Sequence, residues 1–210
     1  MTREIPMFKL YYASTSPYVR KVMVVAHCLG LDGQIERLDS TADPVNRDER
    51  IAVFNPLAKV PALQTADGLS LYDSRVICEY LNDHAGGTLF PQDGHRRWVS
   101  LTRHALGDGL LDAALLARYE TVARPPDKHW DRWLDGQLTK VRAVLDDVET
   151  HAAQFSRTPD DIGLITLGCG LGYLDFRFPH LNWRAAHPAT ADWFAAFDQH
   201  PAMRATRPFE

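Results

Sequence analysis

Apolar and polar side chains alternate near the start of the chain and then change to helical spacing. Phe8, Leu10 and Tyr12 alternate with their neighbours, which predicts a half-buried strand. Ser16, followed by a proline, has the features of a helix N-cap, and Gly30 is typical of a helix end. We therefore expect a strand that leads directly into a helix.

The residues up to position 84 continue as a mixture of strands and helices. A short strand is predicted at Gln34–Leu38, and the polar segment Ser40–Arg50 is expected to be loop with some helix. The turn Ala66–Gly68 separates two apolar runs and predicts a hairpin. Ser74 is expected to cap the next helix. The predicted order is β-α-β-α-β-β-α.

No strand pattern is found from about residue 93 onward. Helices are predicted over residues 95–122, 128–153, 159–174 and 189–199, the third of them capped by Thr158. The segment His84–Gln92 contains two glycines and a proline and is the natural linker. We therefore predict an α/β domain over residues 1–84 and an all-helical domain over residues 93–210.

Composition and charge exclude several classes of partner. The 210 residues are 45% hydrophobic and 24% charged, as in ordinary globular proteins. The net charge of -4 provides no basic stripe for phosphates, which disfavours a nucleic-acid partner. The longest uncharged stretch, residues 162–174, is shorter than the roughly 20 apolar residues of a membrane span, so no membrane partner is expected.

The cysteines, the histidines and the first residues predict a metal-free cytoplasmic protein. Cys28, Cys78 and Cys169 fit neither a disulfide framework nor the spacing of a zinc site. The nine histidines form no His-x-x-x-His pair and no HExxH motif, so no metal is expected. The first twelve residues lack the apolar run of a secretory signal.

Three hydroxyl side chains lie where the first strand is expected to turn into a helix. They belong to Ser14, Thr15 and Ser16. Amide groups at a helix N-terminus stabilise an anion such as a thiolate, and a hydroxyl there could donate a hydrogen bond to it. The alternative is that these hydroxyls only cap the helix.

A second candidate segment is Lys59-Val60-Pro61. A proline at the start of a strand can hold a cis bond, which would turn the Val60 backbone groups outward to pair with a peptide-like ligand. An ordinary trans proline at a strand edge is the alternative. Lys59 could bind a carboxylate, or it could simply be solvated.

Asp73-Ser74 forms a third candidate at another strand-to-helix junction. Ser74 and the helix amides could hold a carboxylate, while Asp73 could hold a neighbouring ammonium group. Helix capping alone is the alternative explanation. Taken together, the three segments describe a site for a small acidic peptide that carries a thiol.

Five segments of the chain resemble the cytosolic glutathione S-transferases, most of all their bacterial serine-type members. They are Leu10–Val22, Asn55–Leu63, Leu71–Leu81, Thr158–Asp161 and Gly172–Arg177. The resemblance implies a thioredoxin-like domain followed by a helical bundle domain. It also implies glutathione as co-substrate and a homodimer as the assembly.

The resemblance assigns roles to the candidate segments. The backbone of Val60, before Pro61, would pair with the cysteinyl unit of glutathione. Asp73 and Ser74 would bind the γ-glutamyl end, and Lys59 would reach the glycine carboxylate.

The thiolate would be stabilised by one hydroxyl of the first loop, in the order of preference Ser16, Ser14, Thr15. Ser16 is preferred because it directly precedes the proline, as in family members with a Ser-Pro-Phe-like motif. The electrophile pocket is expected in the helical domain, at Leu110, Ala113 and Tyr119.

The implied activity is attack of the glutathione thiolate on a hydrophobic electrophile, as in detoxification. A glutathione-dependent isomerase, dehalogenase or peroxidase of the same fold is an alternative. A non-catalytic regulatory or ligand-binding member is another, although the presence of Lys59, Val60-Pro61 and Asp73-Ser74 argues against it. The absence of cysteine from the Ser14–Ser16 loop disfavours thiol exchange.

Overall fold

The computed structural model describes residues 7–209, and their contacts divide into two compact units. The first unit comprises residues 7–90 and 206–209, and the second comprises residues 91–205. The predictions that concern residues 1–6 and 210 lie outside the described residues. Within residues 7–209, no helix combines the length and the apolar character needed to cross a membrane.

The first unit is built on a mixed sheet of four strands. The strands are β1 (Phe8–Tyr12), β2 (Ile35–Asp39), β3 (Ala62–Thr65) and β4 (Ser70–Leu71), and their order in the sheet is β2-β1-β3-β4. β1 pairs in parallel with β2 and antiparallel with β3, which pairs antiparallel with β4. The predicted hairpin is therefore confirmed as the β3–β4 connection.

Helices α1 (Pro17–Cys28), α2 (Glu49–Ala52) and α3 (Ser74–His84) complete this unit and confirm the predicted order of elements. α1 packs against α3, and its run of valines is buried. Successive strand residues point to opposite faces of a sheet. Tyr11, which follows the fully buried Leu10, therefore reaches the other face, where it packs in a cluster with Ile51 and Ala62.

The second unit is helical throughout its regular structure. Its helices are α4 (Gly94–Val122), α5 (Asp131–His151), α6 (Ile162–Arg177), α7 (Trp183–Ala186), α8 (Pro188–Phe197) and α9 (Pro201–Ala205). The four predicted helices correspond to α4, α5, α6 and α8. The sequence did not indicate α7 or α9, because four or five residues are too few to show a helical period.

α4 and α6 form the most extensive packing of this unit, and two glycines allow their close approach. A Cβ atom at Gly107 would lie 2.8 Å from Cγ2 of Thr166, and one at Gly170 would lie 2.7 Å from Cδ2 of Leu110. The absence of side chains at these two positions therefore permits close packing of the two helices.

The start of α6 differs from its prediction. Asp161 is the N-cap, and its carboxylate accepts a hydrogen bond from the Leu164 amide at 3.1 Å. Thr158 was the predicted cap, and this prediction is wrong. Thr158 belongs instead to the preceding turn, where its hydroxyl donates to the Asp160 carboxylate at 3.3 Å. The Ser156 hydroxyl donates to the same carboxylate at 2.9 Å.

A carboxylate of α5 caps the start of α8. Glu149 accepts hydrogen bonds from the amides of Ala189 (2.9 Å) and Thr190 (2.8 Å) and from the Thr190 hydroxyl (2.7 Å). Partial burial acts to raise the pKa of Glu149, but the Thr190 hydroxyl and the two amides outweigh it and hold the pKa below its ordinary value of 4.5. The ionised side chain therefore joins α5 to α8.

Replacing Glu149 tests this connection. Because the pKa is lower in the folded state than in the unfolded state, the stabilisation is present above pH 4.5 and is lost as the pH falls through the folded-state pKa. We expect Glu149→Gln to lower the free energy of unfolding by about 1 kcal/mol at neutral pH. The difference from wild type should shrink in acid, as measured by urea denaturation at several pH values. Asp147→Asn, an exposed position of the same helix, is the control, and a pH-independent loss in Glu149→Gln would contradict the prediction.

Candidate functional site

The strand register brings the three candidate segments to one edge of the sheet. Tyr11 lies opposite Ala62, so the chain that leaves β1 and the chain that enters β3 meet at the same edge. Leu71 lies opposite Leu63 in the antiparallel β3–β4 pair, so the chain that leaves β4 also emerges there. Residues 13–16, 59–61 and 72–74 are therefore neighbours at this edge, although they are far apart in sequence.

The hydroxyl segment forms a turn before α1. The Ser16 amide donates to the Ala13 carbonyl at 3.1 Å, which places Ser14 and Thr15 at the two central positions of the turn. Ser16 is the N-cap of α1, and its Oγ accepts a hydrogen bond from the Val19 amide at 3.3 Å. Since Oγ acts there as an acceptor, capping leaves the hydroxyl proton available for donation.

The second segment enters β3 through a cis peptide bond between Val60 and Pro61. The ladder with β1 begins at Ala62, so Val60 lies beyond its end. The Val60 side chain packs against the cluster around Tyr11. The Lys59 side chain is exposed.

Asn55 holds this segment in place, and we did not predict its role. Its side chain is buried, donates to the Lys59 carbonyl at 2.9 Å and accepts from the Leu57 amide at 3.0 Å. The Ala58 amide donates to the Asn55 carbonyl at 2.8 Å. An asparagine before a proline is a turn signal, and this Asn-Pro pair could have indicated the role.

The third segment lies at the start of α3 and corrects one prediction. Asp73, not Ser74, is the N-cap, and its Oδ1 accepts from the Arg75 amide at 2.9 Å. The physical reason is the backbone, which is extended at Asp73 but already helical at Ser74. Ser74 is only 2% exposed, whereas Asp73 is exposed. The Tyr72–Asp73 peptide bond is also cis, which nothing in the sequence indicated.

A fourth segment reaches the same edge, because β2 runs parallel to β1 with Asp39 opposite Tyr12. In this segment, residues 40–50, the Asp48 carboxylate accepts hydrogen bonds from Thr41 (amide 3.0 Å, hydroxyl 2.9 Å). It also forms an ion pair with Arg50 at 2.7 Å. The Arg50 guanidinium and the Thr41 groups hold the pKa of Asp48 well below its usual value. The expectation of loop with some helix over Ser40–Arg50 agrees with α2, which begins at Glu49, but no sequence pattern indicates this network.

The helical unit places its three candidates on α4. Leu110 and Ala113 are buried, and Leu110 is in van der Waals range of Gly170 on α6. Tyr119 is half-buried near the end of the helix. Within residues 7–209, no three histidine, cysteine, aspartate or glutamate side chains lie close enough together to hold a metal ion.

The fold and the site define a class of protein in which a thioredoxin-like domain is followed by a helical domain. Residues 15–84 match the family model for the N-terminal domain of glutathione S-transferase. The chain is 33% identical to the GST-like protein YibF of Escherichia coli (strain K12) over 184 residues, which cover 86% of this chain and 88% of YibF. The chain therefore belongs to the glutathione S-transferase family.

Solved structures agree with this assignment. A glutathione transferase family member from Pseudomonas fluorescens Pf-5, with bound glutathione, is 45% identical with a TM-score of 0.91, covering 97% of this chain and all (100%) of that one. A glutathione S-transferase from Methylobacillus flagellatus KT, also with glutathione bound, is 36% identical with a TM-score of 0.86, covering 96% of this chain and 100% of that one. The predicted fold class is confirmed.

The role of the buried Asn55 side-chain amide can be tested by replacing the residue with aspartate. Asn55→Asp keeps the acceptor for the Leu57 amide but places a carboxylate oxygen against the Lys59 carbonyl. We expect the free energy of unfolding to fall by about 1–3 kcal/mol in chemical denaturation. Gln199→Glu makes the same exchange of atoms at an exposed position and should change stability little. Equal stability of Asn55→Asp and wild type would contradict a positioning role for this side chain.

Proposed function

We propose that the chain is a glutathione transferase that binds glutathione at the described edge of the sheet and converts its thiol to a thiolate for attack on a hydrophobic electrophile. The observation that carries the proposal is the meeting of residues 13–16, 59–61 and 72–74 at one edge. Relatives that are 36% and 45% identical hold glutathione in their crystals, which supports the same ligand here.

The proposed contacts follow from the groups available at this edge. The Val60 backbone, beyond the end of the ladder, pairs with the cysteinyl unit, and Pro61 fixes the entry into β3. The Asp73 carboxylate binds the γ-glutamyl ammonium through the oxygen that does not cap α3. Ser74 and the α3 amides bind the γ-glutamyl carboxylate, because a helix N-terminus favours an anion. Lys59 binds the glycine carboxylate.

Ser16 is the proposed donor to the thiolate, which makes this a serine-type member. Its Oγ accepts from the Val19 amide, and its O–H donates to the glutathione sulfur. The hydrogen bond and the N-terminus of α1 both stabilise the charged form and lower the pKa of the glutathione thiol. A larger thiolate fraction at neutral pH then accelerates attack on the electrophilic carbon. Ser14 and Thr15 are the second and third choices.

The rest of the proposal concerns the helical domain, the assembly and the compartment. We assign glutathione to the domain predicted at residues 1–84 and the electrophile to the domain predicted at residues 93–210, with Leu110, Ala113 and Tyr119 in the pocket. The assembly is a homodimer, which light scattering would measure. A cytoplasmic role in detoxification agrees with three cysteines that are thiols and not disulfides.

The hydroxyl assignment is tested by Ser16→Gly, because glycine at an N-cap costs only a few tenths of a kcal/mol compared with serine. We expect kcat/KM for conjugation of glutathione to a chloronitroaromatic to fall by about 100-fold. The pH profile of the rate should move to higher pH, since the thiol pKa rises without its donor. Calorimetric affinity for glutathione should change little.

Ser14→Ala and Thr15→Val are the matched controls and should retain most of the activity. A large loss in either of them, with Ser16→Gly active, would show that the assignment to Ser16 is wrong. Absence of glutathione binding to wild type would contradict the proposed function as a whole. Turnover only of cis-olefin, halogenated or peroxide substrates would identify one of the related glutathione enzymes instead.

The proposed role of Asp73 in binding glutathione can be separated from its role as the N-cap of α3. Asparagine caps a helix about as well as aspartate, so Asp73→Asn should leave the unfolding transition almost unchanged. Loss of the charge should weaken glutathione binding by about tenfold, because a charge-assisted hydrogen bond to the ammonium is lost. A glutathione analogue without the γ-glutamyl amino group should bind the variant and wild type equally, and unequal binding would contradict the pairing.

A further inference from the structure

A small cleft lies beside the first turns of α5 in the helical unit. Its volume is about 290 Å³, and its lining residues are Trp130, Arg132, Trp133, Gly136, Gln137 and Lys140. On a helix, residues three, four and seven positions apart share a face. Trp133, Gly136, Gln137 and Lys140 have this spacing, so one face of α5 forms most of the cleft.

Two indole rings dominate the cleft and are open to solvent. Trp130 is 60% exposed and Trp133 is 40% exposed, and their ring centroids are 6.4 Å apart with an interplanar angle of 23°. Single exposed apolar residues are common on protein surfaces, but adjacent stacked tryptophans form a continuous aromatic surface. Such a surface is suited to a flat aromatic ligand.

The backbone that carries Trp130 is fixed by a buried carboxylate. Glu120, near the end of α4, accepts a hydrogen bond from the Trp130 amide at 2.7 Å through one oxygen. Its other oxygen accepts from Arg124 Nε at 2.8 Å. The backbone that carries one of the two indoles is therefore held in place before any ligand binds, which reduces the ordering cost of binding.

The polar groups of the cleft favour an anion. Arg132 and Lys140 are exposed cations on its lining, and Lys140 Nζ donates to the buried Gln137 side chain at 3.2 Å. Asp131 and Asp135 lie on the same turns of α5 but do not line the cleft, and Asp135 is paired with Arg142 at 3.1 Å. The lining itself contains two positive charges and no negative one.

Gly136 has no structural explanation in the packing of α5. Glycine inside a helix is destabilising relative to alanine. A Cβ atom at Gly136 would meet nothing within 4 Å, so no neighbouring element requires the glycine. The missing side chain instead keeps the middle of the cleft open.

From these features we infer that the cleft is a binding site for a small flat aromatic carboxylate. The ring stacks on the indoles of Trp130 and Trp133, and the carboxylate faces Arg132 and Lys140. A volume of about 290 Å³ lies at the lower end of the range of small-molecule sites, which limits the ligand to one or two rings. The inference is independent of glutathione turnover.

The test is a calorimetric titration of the full chain with 2-naphthoate in the presence of saturating glutathione. We expect Gly136→Leu to weaken naphthoate binding at least tenfold while the unfolding temperature stays equal or rises, because leucine favours a helix and fills the cleft. Gly109→Leu is the control, since Gly109 is also an exposed helical glycine whose Cβ would meet nothing within 4 Å. A structural defect would lower stability and affinity together, so the two measurements separate the explanations.

Charge and ring contacts are tested in the same titration. Lys140→Gln should weaken naphthoate binding several-fold, and 2-naphthamide, its neutral counterpart, should bind wild type and Lys140→Gln equally weakly. Trp133→Leu should lower the affinity at least tenfold, whereas Trp98→Leu, at another exposed tryptophan, should not. Naphthoate binding that is absent in wild type, or unchanged in both Gly136→Leu and Trp133→Leu, would overturn the inference.

Discussion

The antiparallel pairing of β1 with β3 is the constraint on which the candidate site depends. With Tyr11 opposite Ala62, the end of one strand and the start of the other are fixed at the same edge of the sheet. A shift of one residue would turn every side chain of β3 to the opposite face and expose the buried Leu63. The burial of apolar side chains in the core therefore also determines that the segments carrying Ser16 and Val60 lie at the same edge.

Helix capping and the proposed binding of glutathione use the same groups at this edge. Ser16 caps α1 with an acceptor lone pair and retains a proton to donate, and Asp73 caps α3 with one carboxylate oxygen and retains the other. The two explanations that the sequence left open are thus compatible, because each side chain has more hydrogen-bonding capacity than its cap uses. Asn55 and Asp48 contribute differently, by holding the loops that reach this edge.

Much of the fold could be predicted from the chain, because α1, α4, α5 and α6 are long enough for a helical period to be visible. Boundaries were less accurate where several polar residues compete for one cap. At the start of α6, Thr158, Asp160 and Asp161 all have suitable oxygens, and only the backbone conformation selects Asp161. The same competition between Asp73 and Ser74 was decided by which residue is already helical.

Local pattern and motifs were sufficient to predict the order of elements, the family and the three candidate segments. Which of these segments lie at the same edge depends on the register between strands that are separated in the chain, so this required the folded structure. The role of Asn55 and the cleft beside Trp130 also required the structure. Both lie within short stretches of the chain, residues 55–59 and 130–140, and each depends on a backbone conformation and on side-chain burial that the pattern of apolar and polar residues does not specify.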